Sequence, residues 1–342
     1  MTACPFCESP VPEDQLPGDG PGLAVCVHCF NPLRLSWSDG GFEATRLSDH
    51  RDMRRNSGPD TIAGAILAQA GPALQQLPVL PEISQRILTL LRDPEFGMPE
   101  LAGMIREDPA IALAIMKQAN SAAFGGLSPI KDLNGACARL GMRNVANTVQ
   151  IVANQRLFVA GNPRVKITMQ LLWRHSVAAA YCAGQIARLT LAPDPEAVFL
   201  AGLVHDAGKL FLLQAVGNPE IGVLRDVEDN PELFREILDS MHPLFGLLVC
   251  QAWTLPAEFR AAAFFHHRPE QCPEADWLPL VHTVALANTI VRVEGYGMYP
   301  AGADTFLASH PSTQYLGLSD IKLAMLRVDL RDALEALFDA TS

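Results

Sequence analysis

Two sets of residues in this chain have types and spacings suited to metal chemistry. The first is Cys4-x2-Cys7 and Cys26-x2-Cys29, two tight cysteine pairs with eighteen residues between them. Each C-x2-C turn presents two thiolates to one ion, and four thiolates close a tetrahedral zinc shell with no position left for a reacting water. The expectation is a structural zinc. His28 lies inside the second pair, but four cysteines already complete the set. A redox role for either pair would need a thioredoxin-like strand–helix setting, which the flanking residues do not supply.

The second set is His175, His205-Asp206 followed by Lys209, His242, the adjacent His266-His267, and Asn288. A single histidine in an apolar helix is usually a hydrogen-bonded core group, so the case rests on the joint pattern. The His205-Asp206 pair offers imidazole nitrogen and carboxylate oxygen to one divalent ion, and the interior of a helical bundle lets other helices complete the shell. Lys209 has two readings that the sequence leaves open: it contacts a phosphate, or it pairs with a carboxylate on its own helix.

The elements that position these residues are of two kinds. Residues 1–48 are rich in Pro and Gly and short of helical period, with a β-prone run at Leu23-Ala24-Val25. So short a segment needs a staple, and a metal is the available one. The polar stretch 49–59, with Arg51, Arg54 and Arg55 interleaved with Asp49 and Asp52, reads as a linker. Beyond it, residues 60–342 follow 3.6-residue apolar periodicity broken by Pro and Gly at helix-length intervals. Windows at 82–92, 111–120, 142–158, 168–190, 196–215, 231–240, 243–253, 256–266, 278–294 and 320–338 read as helices. Asp108-Pro109 supplies an N-cap and a first-turn proline, and Gly141 ends one helix ahead of the next. The fold class is mostly α: a multi-helix bundle preceded by a small Cys4 module.

Composition narrows the setting. Of 342 residues, 49% are hydrophobic and 18% charged, as in a well-buried globular chain, and the net charge is -11. That field repels phosphate backbones and anionic lipid. No Lys or Arg precedes Arg34, and Glu13, Asp14 and Asp19 lie between the cysteine pairs, so a nucleic-acid role for the module is disfavoured. No apolar run reaches transmembrane length and no secretory signal pattern opens the chain, so a soluble, cytoplasmic protein is expected. Cys137, Cys182, Cys250 and Cys272 stand singly and read as small core residues.

The order His175, His205-Asp206-x-Gly208-Lys209, His242, His266-His267 resembles the ligand order of HD-type metal phosphohydrolases. Upstream, Leu77-Pro78-x-Leu80-Pro81, Asp108-Pro109, Ala119-Asn120-Ser121-Ala122-x-Phe124-Gly125 and Leu140-Gly141 are similar to the pattern of the HDOD domain, a bacterial HD-related output domain of signal transduction. The similarity covers residues 73–290, and 291–342 resembles the family's helical extension. The resemblance implies an all-helical regulatory domain in which the HD metal residues are often incomplete. Here His175, His205, Asp206 and His242 match by position, and His266 or His267 fills the later histidine place. Asn288 stands where active phosphohydrolases carry Asp, which weakens a divalent site. The cyclic-dinucleotide phosphodiesterases with a Gly-Tyr-Pro element share H-D-x-G-K and H-x3-G, here His242 to Gly246. Their Gly-Tyr-Pro follows the paired histidines closely, whereas Gly295-Tyr296-Gly297 lies past Asn288 and reads as coincidence.

The expectation is a signalling or regulatory protein using the HDOD domain as a protein-interaction or ligand-sensing module, with a residual divalent-metal site (Fe, Mn, Mg or Zn) and little or no catalysis. Protein partners and a nucleotide or other phosphate-containing ligand fit that role. The rival is a metal-dependent phosphohydrolase in which Asp206 and Lys209 are the catalytic candidates.

Overall fold

The computed structural model describes residues 2–6, 8–11, 21–26, 31–38, 41–47, 80–90, 97–106, 108–121, 123–124, 129–159, 163–190, 194–217, 231–299 and 306–341. Cys7, His28, Cys29 and the expected linker at 49–59 lie outside the described residues. In chain order the elements are strands β1 (Gly22–Val25), β2 (Pro32–Ser38) and β3 (Gly41–Arg46), then helices α1 (Glu82–Leu90), α2 (Met98–Arg106), α3 (Pro109–Ala119), α4 (Leu133–Gln155), α5 (Pro163–Leu189) and α6 (Pro195–Val204). They continue with α7 (Ala207–Gly217), α8 (Pro231–Ala252), α9 (Ala257–Phe265), α10 (Leu278–Val293), α11 (Pro311–Tyr315) and α12 (Asp320–Thr341). The expected mostly helical class is what the chain adopts. Among the described residues no helix is long and apolar enough to cross a membrane.

One compact unit is drawn from residues 1–78, 160–169 and 204–281. Its sheet is antiparallel in the order β1-β2-β3, with Ala24 opposite Leu33 and Leu35 opposite Ala44. β2 and β3 alternate apolar and polar residues, a period-2 signal that the Pro/Gly-rich reading of the segment passed over. One face gathers Ala24, Leu33 and Leu35 with Val11, Cys4 and Cys26 into a small core. The opposite face, with Leu23, Val25 and Arg34, lies against the helices. The Val25 amide donates to Gln251 Oε1 at 3.0 Å, Arg260 Nη1 donates to the Leu23 carbonyl at 3.3 Å, and Arg34 pairs with Glu274. Edge strand β1 therefore has its outer backbone groups met by side chains of α8 and α9.

In the same unit α7, α8 and α9 pack together, and Phe211 stacks on Phe245 at 4.8 Å between ring centroids. The sequence windows 231–240 and 243–253 form a single helix that carries Pro243 in its interior. The window 196–215 does the reverse: it divides into α6 and α7, with His205 and Asp206 in the break.

The other compact unit is drawn from residues 79–159, 170–203 and 282–342. Asp108 caps α3 by accepting from the Ala110 amide, with Pro109 in the first turn, and its second carboxylate oxygen takes Arg156 at 2.6 Å. α4 is kinked at Gly141, whose φ of 74° only glycine adopts without strain. Ile87, Leu101, Ile105, Ile111, Ile115 and Val149 make a core shared by α1 to α4. Gly202 of α6 approaches α5 so closely that a Cβ would sit 2.9 Å from Ala180 Cα. Helix α12 carries a buried row, Leu323, Leu326, Leu330, Leu334 and Leu337, and leaves Ile321, Met325 and Val328 exposed. The four single cysteines, Cys137, Cys182, Cys250 and Cys272, are all buried, as small core residues should be.

Candidate metal centre

The first unit assembles the second motif through a contact between two glycines. A Cβ on Gly208 of α7 would lie 1.9 Å from the His242 carbonyl oxygen and 2.5 Å from the Gly246 amide nitrogen of α8. Only the absence of a side chain lets one backbone lie on the other, and this contact sets Asp206 beside His242. Asp206 precedes α7 and its carbonyl accepts from the Lys209 amide, opening the helix. Its carboxylate is fully buried. Oδ2 takes Lys209 Nζ at 2.7 Å and lies 3.5 Å from His205 Nε2; Oδ1 lies 3.5 Å from His242 Nε2 and 3.6 Å from His266 Nε2.

The tautomers follow from the backbone. His242 Nδ1 is 2.7 Å from the Leu238 carbonyl, and His266 Nδ1 is 3.1 Å from the carbonyls of Ala262 and Ala263. A carbonyl only accepts, so each Nδ1 carries the hydrogen and each Nε2 carries a lone pair. The His242 and His266 lone pairs face one another at 3.3 Å, and His242 Nε2 also lies 3.0 Å from His267 Nε2. Two unprotonated nitrogens at that distance repel unless a cation lies among them. Burial, and after it the Lys209 ammonium, hold His242 well below the usual imidazole range, with Asp206 opposing. Burial, then His267 and His205, do the same for His266, again against Asp206. Protonation is thus a poor remedy and a metal ion a good one.

The distances test the fit. Two ligands about 2.1 Å from one ion, at octahedral or tetrahedral angles, stand about 3.0–3.4 Å apart. The separations of 3.0, 3.3, 3.5 and 3.6 Å among the three Nε2 atoms and Asp206 Oδ1 are close to that spacing. The nitrogens of His242, His266 and His267 also lie within 4.8 Å of one another as a group. The donor set suits a borderline divalent cation, with His242, His266 and His267 giving nitrogen and Asp206 giving oxygen.

Two of the residues read from the sequence, His175 and Asn288, belong to the second unit. His175 is buried on α5 with its Nδ1 3.1 Å from the Tyr296 carbonyl oxygen. Asn288 is buried on α10, and its Oδ1 has no hydrogen-bond partner among the described residues. Of the cysteine set, Cys4 and Cys26 share the small core of the sheet, while Cys7 and Cys29 fall outside the described residues. The described residues thus hold two of the four expected thiolates. Sequence reasoning missed Gly208 and Gly246 as the contact that sets the site, and the carbonyls of Leu238, Ala262 and Tyr296 as the groups that fix the rings. The glycines had a signal, H-D-x-G-K with H-x3-G; the carbonyls have none.

A mostly helical fold carries a largely buried histidine–aspartate cluster between closely crossed helices. The family model of the HDOD domain matches residues 77–269, and the chain belongs to that family. An uncharacterized protein of Treponema pallidum (strain Nichols) is 26% identical over 288 residues, 80% of this chain and 54% of the relative. The chain thus spans about half the length of the curated relative it matches. Among solved structures, an HDOD domain protein with unknown function from Geobacter sulfurreducens aligns at a TM-score of 0.63 and 24% identity, over 82% of this chain and 96% of that one. A protein from Marinobacter aquaeolei VT8, provisionally assigned to signal transduction, aligns at 0.58 and 20% identity over 87% and 68%. One from Shewanella amazonensis SB2B, provisionally assigned as a metal-dependent phosphohydrolase, aligns at 0.55 and 22% identity over 82% and 99%. At these identities the likeness is one of fold.

Proposed function

We propose that this chain is a cytoplasmic signalling protein whose HDOD domain works as a protein-interaction or ligand-sensing module, with one divalent cation held by the histidine–aspartate cluster and little or no catalysis. The observation that carries the reading is the facing pair of Nε2 lone pairs of His242 and His266 beside Asp206 Oδ1, with His267 Nε2 3.0 Å from His242 Nε2. His205 and, from the resemblance, His175 are the further ligands in this reading. Bound there, the ion supplies Lewis acidity and a fixed positive charge. The protein's own groups argue for restraint in catalysis. Asp206 is the one carboxylate in the set, and its Oδ2 is already engaged by Lys209. A two-metal hydrolytic centre needs more anionic charge than that, and Asn288 offers a neutral amide where Asp is expected.

Residues 1–48 are proposed as a zinc module. Each cysteine pair is spanned by the same backbone bond, from the Cys4 amide to the Ser9 carbonyl at 2.9 Å and from the Cys26 amide to the Asn31 carbonyl at 3.0 Å. The Phe6 amide also lies 3.5 Å from Cys4 Sγ, as a thiolate-stabilising donor would. Matching backbone bonds across the two C-x2-C segments support a shared ion. The alternative for the helical domain, a metal-dependent phosphohydrolase, draws on the assignment of the Shewanella protein. It would use Lys209 toward a phosphate, against the 2.7 Å contact that ties Lys209 to Asp206.

Plasma mass spectrometry on the wild type, a His205→Ala/Asp206→Ala variant and a Cys4→Ser/Cys26→Ser variant tests both metals. The expected result is two metal equivalents in the wild type, with one divalent ion lost from the first variant and one zinc from the second. Equal metal content in the wild type and the His205/Asp206 variant would overturn the HD-site reading. Turnover of cyclic dinucleotides or generic phosphodiesters by the metal-loaded wild type would move the protein to the enzymatic class.

A further inference from the structure

The Gly295-Tyr296-Gly297 sequence, which has no place in the metal cluster, sits next to His175. α10 ends in a Schellman turn: the Tyr296 amide donates to the Val291 carbonyl at 2.8 Å and the Gly295 amide to the Arg292 carbonyl at 3.2 Å, with Gly295 at φ 87°. A Cβ on Gly297 would meet the Tyr299 carbonyl at 2.6 Å, so the chain can only leave the turn here through glycine. The turn presents the Tyr296 carbonyl to His175 Nδ1 at 3.1 Å.

Helix α12 grips this turn on both sides. Glu294, one residue before Gly295 and with its side chain 6% exposed, pairs with Arg327 and with Arg331 Nε, the latter at 3.1 Å. Two turns further along α12, Phe338 packs on the Tyr296 ring with centroids 5.8 Å apart. The same Phe338 ring carries the guanidinium of Arg174, the neighbour of His175, at 4.1 Å from its centroid. We infer that the Gly295-Tyr296-Gly297 turn, clamped by α12 through Glu294 and Phe338, is the positioning device of His175. It holds the hydrogen on Nδ1 and leaves Nε2 as the ligand atom. The role of that atom toward a metal rests on the reading given above; the tautomer does not.

Long-range proton–nitrogen correlation spectra of metal-free, 15N-histidine-labelled protein read the tautomer directly, and titration with Mn2+ alone reads affinity. The wild type is expected to show His175 protonated on Nδ1. Phe338→Ala and the isosteric Glu294→Gln should mix in the Nε2–H tautomer and weaken Mn2+ binding by about tenfold, the effect of a lost outer-shell partner. Phe338→Leu, which keeps most of the volume, should restore both. Because Glu294→Gln changes charge and not shape, it keeps the test open if Phe338→Ala does not fold. A wild-type His175 protonated on Nε2, or variants in which neither tautomer nor affinity moves, would overturn the inference. If the tautomer shifts in the variants while no protein binds Mn2+, the positioning role stands and the metal reading of the site falls.

Discussion

The glycine contact between α7 and α8 makes Gly208→Ala the most informative single substitution. The new Cβ would lie 1.9 Å from the His242 carbonyl oxygen, and ordinary contact begins at 3.4 Å, so the helices must part by about 1.5 Å. No side chain can rotate away, because the obstacles are backbone atoms on both sides: His242 O and Gly246 N. Overpacking of a core costs about 1–3 kcal/mol, and a backbone obstacle places this case at about 3. At about 2–4 °C per kcal/mol, the melting temperature should fall by about 6–12 °C. His242 would be displaced from Asp206 by the same movement, so Mn2+ affinity should drop with stability. Gly103→Ala in α2 is the control: a Cβ there meets nothing within 4 Å, and the helix gains about 1 kcal/mol of propensity. Thermal unfolding followed by circular dichroism reads both. A Gly208→Ala protein melting within 2 °C of the wild type, about the size of half a kilocalorie, would refute the argument.

Further outcomes follow from the buried charges. Lys209→Met removes the partner of a buried carboxylate, which costs about 3–5 kcal/mol in metal-free protein. Added Mn2+ should then raise the melting temperature more in Lys209→Met than in the wild type, and an equal rise would show that Asp206 is not a ligand. His310 accepts from the Ser312 amide through Nδ1 and lies 3.3 Å from Thr289 Oγ1, and burial lowers its pKa from 6.5. Its folded state binds fewer protons than the unfolded chain, so stability is complete above pH 6.5 and declines as pH falls below it toward the lowered value. Protection factors at α11, which take out the intrinsic pH dependence of amide exchange, should therefore fall below pH 6.5 in the wild type and not in His310→Asn; identical profiles would exclude this group as the cause.

Much of the site was legible because it is written in side chains. His205-Asp206-x-Gly208-Lys209 and His242-x3-Gly246 combine rare residue types at fixed intervals, and the cluster forms from them. Helix ends marked by local chemistry, such as Asp108-Pro109 and Gly141, were equally visible. The break at His205-Asp206 was not, because residues 196–215 are apolar on every side and so carry no period to interrupt. Pro243 suggested a stop, yet α8 continues through it. Gly295-Tyr296-Gly297 was set aside as a chance likeness to a motif, since the acceptor it offers His175 is a backbone carbonyl. Carbonyls of Leu238, Ala262 and Tyr296 decide which ring nitrogen is bare, and any residue could supply them. Nor does the sequence reveal that the cysteine-bearing sheet rests on α8 and α9, because Gln251, Arg260 and Glu274 are ordinary surface types.

That resting place bears on how the protein could be shortened. A chain trimmed to start after residue 47 would strip the cover from α8 and α9, the helices that carry His242 and lead into His266-His267. Gln251 and Arg260 would lose their backbone partners, and the apolar surface now facing Leu23 and Val25, worth about 1.5–3 kcal/mol for each side chain, would meet water. Such a fragment should self-associate during purification, and mixtures of aggregation states would then be mistaken for the oligomeric behaviour of the HDOD domain itself.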